Sequence, residues 1–195
     1  MQKDKIVLDL ETQKSFDEVG GRRMHLLRVS VVGVYSYLND KYTAFEEREI
    51  PELEKLLKST GLIIGFNIKK FDLPVLEPYL SISIYALPTL DIMQEIVKVT
   101  GHRVSLNSVA QATLGKGKSA SGLDAIRFYR EGEIEKLKRY CLNDVQITKE
   151  IYEYVQRYGK LSFTSKYGRS KRSIPINWGT KKLATESTEK RKAKG

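Results

Sequence analysis

The sequence predicts an α/β fold built on a mixed sheet, and three observations carry that prediction. Short apolar runs rich in β-branched residues recur at 5–10, 26–38 and 62–65, the composition of buried strands. The strand pattern at 62–65 directly follows a helical one, so the chain crosses over in the manner of a parallel pair. A long stretch near the end, 133–158, carries Ile134, Leu137, Cys141, Val145, Thr148, Tyr152 and Val155 at helical spacing, a stripe suited to lie against a sheet.

The elements follow in order. Lys5-Ile6-Val7-Leu8-Asp9-Leu10 reads as the first strand. Residues 26–38 continue in strand-like chemistry, and Asn39-Asp40-Lys41 turns the chain back into 42–45 as an antiparallel hairpin. Pro51 opens a helix over 52–59, with Leu53, Leu56 and Leu57 on one face, and Gly61 stops it before the strand at 62–65. A short proline-containing helix is predicted over 71–80 and a last short strand over 88–91. Helical segments follow near 91–99, 107–114 and 123–130, then the long helix, closed by Gly159. The expected organisation is a folded domain over 1–158, a strand-like extension over 159–179 and a basic, disordered tail over 180–195.

Composition narrows the class of protein. The chain has 195 residues, 41% hydrophobic and 30% charged, which fits one core and excludes collagen-like and wholly disordered chains. A lone Cys141 and two histidines cannot build a disulfide framework or a structural zinc site. No apolar run reaches the ~20 residues of a membrane span, and the polar start after Met1 does not read as a leader. A cytoplasmic protein without membrane contact is expected. The net charge is +10, yet 11 of the 34 Lys and Arg lie beyond residue 158 against only Glu186 and Glu189, which leaves 23 basic and 22 acidic residues in the rest. A nearly neutral domain with a basic end suits sequence-independent phosphate contact, with a solubilising tail as the plainer alternative.

Three carboxylate motifs point to chemistry. Asp9 and Glu11 stand two apart at the end of the first strand, so the strand period puts both on one face. Like charges held beside an apolar core need a compensator, and a divalent cation is the natural one; taken alone the pair also reads as an exposed strand end with turn-capping carboxylates. Asp72 follows Asn67 by five positions, where a buried strand gives way to a loop and helix; taken alone it reads as a helix cap. Tyr140 and Asp144 are spaced i, i+4 in the long helix and share a face; an aspartate near the apolar stripe asks for a partner, with a solvent-facing side chain the alternative.

Taken together, a strand-borne D-x-E, an N-x4-D after a later strand and a Y-x3-D in the C-terminal helix resemble the DEDD exonucleases on a ribonuclease H-like fold. The tyrosine makes the chain similar to the DEDDy branch, which includes the proofreading domains of family B DNA polymerases. Arg139 stands where the histidine of the other branch would. The stretch from Ser105-Leu106-Asn107-Ser108 to Gly122-Leu123-Asp124 is also similar to stand-alone prokaryotic predicted exonucleases. The resemblance spans roughly residues 5–155. It implies a three-layer fold, with a five-stranded mixed sheet containing one antiparallel strand and helices on both faces.

It also implies a metal-dependent 3′-to-5′ exonuclease using two Mg2+ or Mn2+ ions roughly 4 Å apart. On that basis Asp9 bridges both ions, Glu11 and Asp144 complete the site that activates water, Asp72 holds the second ion, and Tyr140 orients the water. Thr12 and Asn67 are candidates for touching the terminal nucleotide. Phe71 is a candidate for stacking on a base, with core packing the alternative for it and for Phe66. The implied substrate is nucleic acid with a free 3′ end, single-stranded DNA favoured over RNA. The chain is expected to be a monomer, with a replication, repair or helicase protein as a candidate partner. A catalytically silent nucleic-acid-binding module and an endonuclease on the same fold are the rivals.

Other signals are discounted. Phe16, Arg22 and Arg23 read as a surface loop or a substrate contact. Gly115-Lys116-Gly117-Lys118-Ser119 lacks the first glycine of a phosphate loop, since Ala112 stands there. Asp91 and Asp124 read as helix caps, Asp91 the better candidate to support the metal site from behind.

Overall fold

The alternation of the first strand decides the layers. In the computed structural model, which describes residues 3–117, 122–164 and 170–178, strand β1 (Asp4–Thr12) sends Ile6, Leu8 and Leu10 into one core and Val7 into another. Successive side chains of a strand point to opposite faces, so Asp9 and Glu11 share the face of Val7. Strand β1 is the centre of a five-stranded sheet ordered β3-β2-β1-β4-β5. Here β2 is Val29–Ser36, β3 Lys41–Glu46, β4 Thr60–Gly65 and β5 Thr89–Asp91. Strand β2 runs antiparallel to both neighbours, while β1, β4 and β5 are mutually parallel. The sheet is therefore mixed, with one antiparallel strand.

Helices cover both faces. On the side of Ile6, Leu8 and Leu10 pack the single turn α1 (Met24–Leu27), α2 (Ile50–Lys58) and α3 (Asp72–Leu76), through Leu27, Leu53, Leu57, Leu73 and Leu76. On the opposite side lie α4 (Ile92–Thr100), α5 (Leu106–Leu114) and α7 (Ile134–Tyr158), and α6 (Gly122–Arg130) packs against the first half of α7. The stripe of α7 buries Leu137, Cys141, Val145, Thr148, Tyr152 and Val155, and also Tyr140 and Asp144. Gly159, at φ 65°, ends the helix with its N–H on the Val155 carbonyl, the left-handed conformation glycine adopts without penalty. Among the described residues no helix is long and apolar enough to cross a membrane.

The strand-like run at 26–38 is interrupted. Leu26 and Leu27 belong to α1, Arg28 adopts φ 55°, and β2 starts only at Val29. Leu27 is turned into the core while Leu26 stays exposed. Beyond α7, β6 (Lys160–Thr164) and β7 (Lys171–Pro175) pair as an antiparallel hairpin. The hairpin is bonded to α5: Thr113 Oγ1 donates to the Ser162 carbonyl at 2.8 Å and accepts its N–H at 2.9 Å, and Ser108 Oγ does the same with Thr164 at 3.0 and 2.9 Å. The tail over 180–195, with Lys118 and Ser119 of the glycine-rich turn, lies outside the described residues.

One glycine sets the separation between α7 and the sheet. Gly33 is the cross-strand partner of Asp9, and a Cβ there would sit 2.9 Å from Cys141 Sγ and 3.0 Å from Val145 Cγ2. An alanine must push α7 outward or distort it. Gly33→Ala is expected to destabilise the fold by about 1–3 kcal/mol, read from urea denaturation as a lower midpoint at unchanged slope.

Candidate active site

Strand β1 and helix α7 bring the first and third motifs together. Asp9 and Glu11, both half-buried, project from the C-terminal part of β1 towards α7, where Asp144 is buried. Oxygen atoms of the three carboxylates all lie within 4.8 Å of one another. Charges at that separation repel by about 3 kcal/mol per pair at an effective dielectric near 20. The donor set is all oxygen, which suits a hard divalent cation such as Mg2+ or Mn2+. These residues fit the cation that the motifs imply.

Asp72 reaches the same place by another route. It lies in the first turn of α3, buried, and its Oδ1 accepts the N–H of Leu10 at 3.0 Å. Its Oδ1 is thereby fixed to the backbone between Asp9 and Glu11. Asp72 is outside the cluster of three but lines the same cleft, of about 420 Å³, with Asp9, Glu11, Tyr140 and Asp144. All six residues of the three motifs, Asn67 included, line one cavity.

The environment of the helix residues separates their chemistry. Burial raises the Tyr140 phenol well above its ordinary range, and the carboxylates of Asp144, Glu11 and Asp9 add to the effect. The group stays protonated at neutral pH and acts as a hydrogen-bonding hydroxyl rather than a base. The Cys141 thiol, fully buried and 3.5 Å from the Asp9 carbonyl, is likewise raised by burial and then by Asp9 and Glu11, so it has no thiolate character.

The remaining candidates frame the cleft. Thr12 lines it, although its Oγ1 donates to the Lys14 carbonyl at 2.9 Å. Phe71 and Phe16 line it and meet edge to face with centroids 5.9 Å apart; Phe66 lines it as well. Both Phe66 and Phe71 are partly packed on the cores, so each has one face on the protein and another towards the cavity. Arg22 and Arg23 are exposed and lie outside the lining. Lys116 pairs with Glu150 at 2.8 Å, and Asp124 with Arg127 at 3.4 Å.

Asn67 sits in the left-handed region at φ 68°, a conformation that needs support from its surroundings. Asp91 supplies it. Buried at the start of α4, Asp91 accepts the N–H groups of Asn67 at 2.9 Å, Lys69 at 3.1 Å and Gln94 at 3.2 Å. One carboxylate thus caps a helix and holds the loop that leads to Asp72. Across the lip of the cleft, Arg103 Nη2 donates to Asn67 Oδ1 at 2.8 Å.

Sequence reasoning missed Arg103, because nothing in a loop 36 positions downstream marks it as a neighbour of Asn67. It also missed a clamp behind Thr12. The register of β1 and β2 shifts between Glu11 and Thr12, and Gln13 Nε2 just beyond donates to Glu47 at 2.8 Å. Arg28 and Tyr79 donate to the same carboxylate at 3.0 and 2.7 Å. Burial pushes the Glu47 pKa up, but the bonds from Tyr79, Arg28 and Gln13 outweigh it and hold the carboxyl below its ordinary range.

A model of the RNase H superfamily, RNase_H_2, matches residues 7–156. The chain belongs to the RNase H superfamily. Among solved structures it is similar to the family B DNA polymerase of the hyperthermophilic archaeon Pyrobaculum calidifontis, with a TM-score of 0.62 and 17% sequence identity. That likeness covers 81% of this chain and 25% of the polymerase, so the chain spans about a quarter of the polymerase's length, and it bears on the fold. No curated protein sequence matches. The superfamily match runs from β1 to the last turns of α7, and so takes in every motif residue of the cleft.

Within this RNase H-superfamily chain, Asp91 supports the second motif without belonging to the carboxylate cluster. Asp91→Ala leaves three backbone N–H groups without their acceptor and removes the cap of α4. The expected loss is about 2–4 kcal/mol, measured by thermal denaturation, with Asp91→Asn retaining part of it.

Proposed function

We propose that this chain is a metal-dependent 3′-to-5′ exonuclease of the DEDDy type, acting on single-stranded DNA in preference to RNA. Superfamily membership and the acidic cluster support a nuclease-type function. The observation that carries the finer reading is the meeting of Asp9, Glu11 and Asp144 within 4.8 Å, in a cleft also lined by Asp72 and Tyr140.

Asp9, Glu11 and Asp144 would hold divalent cations, with Asp72 completing the set from its anchor on Leu10. When bound, such cations neutralise the charge of the phosphodiester and its leaving 3′ oxygen and make water a competent nucleophile at neutral pH. The chain's residues do the positioning. Tyr140, protonated and set among the carboxylates, orients the attacking water through its hydroxyl. Asn67, with Thr12 beside the D-x-E, faces the terminal nucleotide. Phe71 and Phe16 present an apolar edge against which an unpaired base can pack. The presence of all four acids and the tyrosine favours a working site over a silent binding module.

Digestion of end-labelled single-stranded DNA and RNA with Mg2+, Mn2+ or EDTA tests the reading. Sequential shortening from the 3′ end with either metal, none with EDTA, and an intact closed circle are expected. A cut circle would assign an endonuclease, and no product with either metal would leave the binding module. Asp9→Ala is expected to abolish hydrolysis. Tyr140→Phe is expected to lower kcat by about 100-fold, while Mn2+ affinity measured by calorimetry stays unchanged.

A further inference from the structure

The cleft is acidic at its floor, so a polyanionic strand must be held by cations outside the ring of carboxylates. The two sides of the cleft differ in what they offer. On the α6 side the arginines are already neutralised: Arg127 pairs with Asp124 at 3.4 Å and Glu131 at 3.3 Å, and Arg130 pairs with Glu18. On the Asn67 side, Arg103 is exposed and bonded to the neutral amide of Asn67.

From Arg103 a physical path leads onto the C-terminal hairpin. The neighbouring His102 ring lies edge-on to Phe163 of β6, with centroids 5.7 Å apart. Phe163 is the cross-strand partner of Arg172, and Thr164 of Lys171, so Arg172 shares the face of the hairpin that His102 meets. Ser108, three residues after Ser105 at the start of α5, fixes this end of the hairpin through both backbone groups of Thr164. The described hairpin residues, 160–164 and 170–178, include Lys160, Lys171 and Arg172 and no acid. All lie beyond residue 156, where the superfamily match ends.

We infer that the β6–β7 hairpin is a second nucleic-acid contact: Arg172, on the face that His102 meets, and Lys171, which projects from the opposite face of the same strand, reach from the two sides of β7 to hold the phosphodiester backbone of a single strand whose 3′ end lies in the cleft. Arg103 is the link between the two. The occupant is a single nucleic-acid strand because the basic track continues the lip of a cleft proposed to take one, and because phosphate contacts need no base recognition. This inference rests on the nuclease reading for the destination of the strand, while the contact itself is a binding event that needs no hydrolysis.

The test is fluorescence anisotropy with the full chain in EDTA, using labelled oligothymidylates of about 4 and about 20 nucleotides over a range of salt. For Lys171→Ala with Arg172→Ala, binding of the longer strand is expected to weaken about tenfold, and the slope of log K on log salt to fall by about 1.4, or about 0.7 per phosphate contact. Binding of the shorter strand is expected to stay the same. Lys55→Ala with Lys58→Ala removes the same charge from α2, in the opposite layer, and is expected to leave both strands unaffected. A wild-type slope in the hairpin variant, an equal loss on both strands, or an equal loss in the α2 variant overturns the inference. A changed slope in a chain that hydrolyses nothing would keep the hairpin contact and remove the exonuclease reading; hydrolysis with an unchanged slope would do the reverse.

Discussion

Three carboxylates within 4.8 Å of one another repel, and much of the local architecture serves to hold them there. Asp9 and Glu11 cannot relax apart because they ride on the central strand of the sheet, paired on one side with β2 and on the other with β4. Asp144 cannot withdraw because α7 is seated by Leu137, Cys141, Val145 and Ile151, all fully buried. The distance between strand and helix is set by Gly33, whose missing side chain lets Cys141 and Val145 settle against β2 opposite Asp9. The strain of like charges is thus carried by hydrophobic packing over a whole helix, and a cation entering the cluster would relieve it.

The two other carboxylates near the cleft work by a different principle. Asp72 and Asp91 are both almost wholly buried, and each takes backbone N–H groups from a neighbouring segment. A buried carboxylate is costly unless its lone pairs are used. Here they are used to join elements distant in sequence: Asp72 ties α3 to β1, and Asp91 ties the 67–69 loop to α4. The second motif is consequently held at both ends, at Asn67 by Asp91 and at Asp72 by Leu10.

The elements legible in the sequence were those whose signal is local. Period two placed Asp9 and Glu11 on one face, and i, i+4 spacing placed Tyr140 with Asp144. The apolar stripe of 133–158 gave α7 almost to the residue. What the sequence could not show depends on contacts between distant segments. Asp72 reads locally as a cap, yet its acceptor serves Leu10, 62 residues away. Leu26 and Leu27 look like strand, yet the Arg28 turn and its bonds to Glu47 make them a helical turn. Asn67 was a candidate from its motif, but its left-handed backbone and its bond to Arg103 belong to the folded chain alone.

The two lips of the cleft are chemically unlike, and that asymmetry follows from where the chain can afford unpaired charge. The α6 lip presents Leu123, which is 72% exposed, and Ile126 beside Phe16 of the facing loop. Its arginines are engaged by Asp124, Glu131 and Glu18, so the surface left over is apolar. The Asn67 lip presents an amide and a guanidinium. On the nuclease reading proposed above, a nucleotide, with its apolar base plane and anionic backbone, would meet both kinds of wall in this cavity of about 420 Å³. Under that proposal the backbone would align with Arg103 and the base with the aromatic rings that line the cleft, Phe16, Phe66 and Phe71, without a base-specific hydrogen bond.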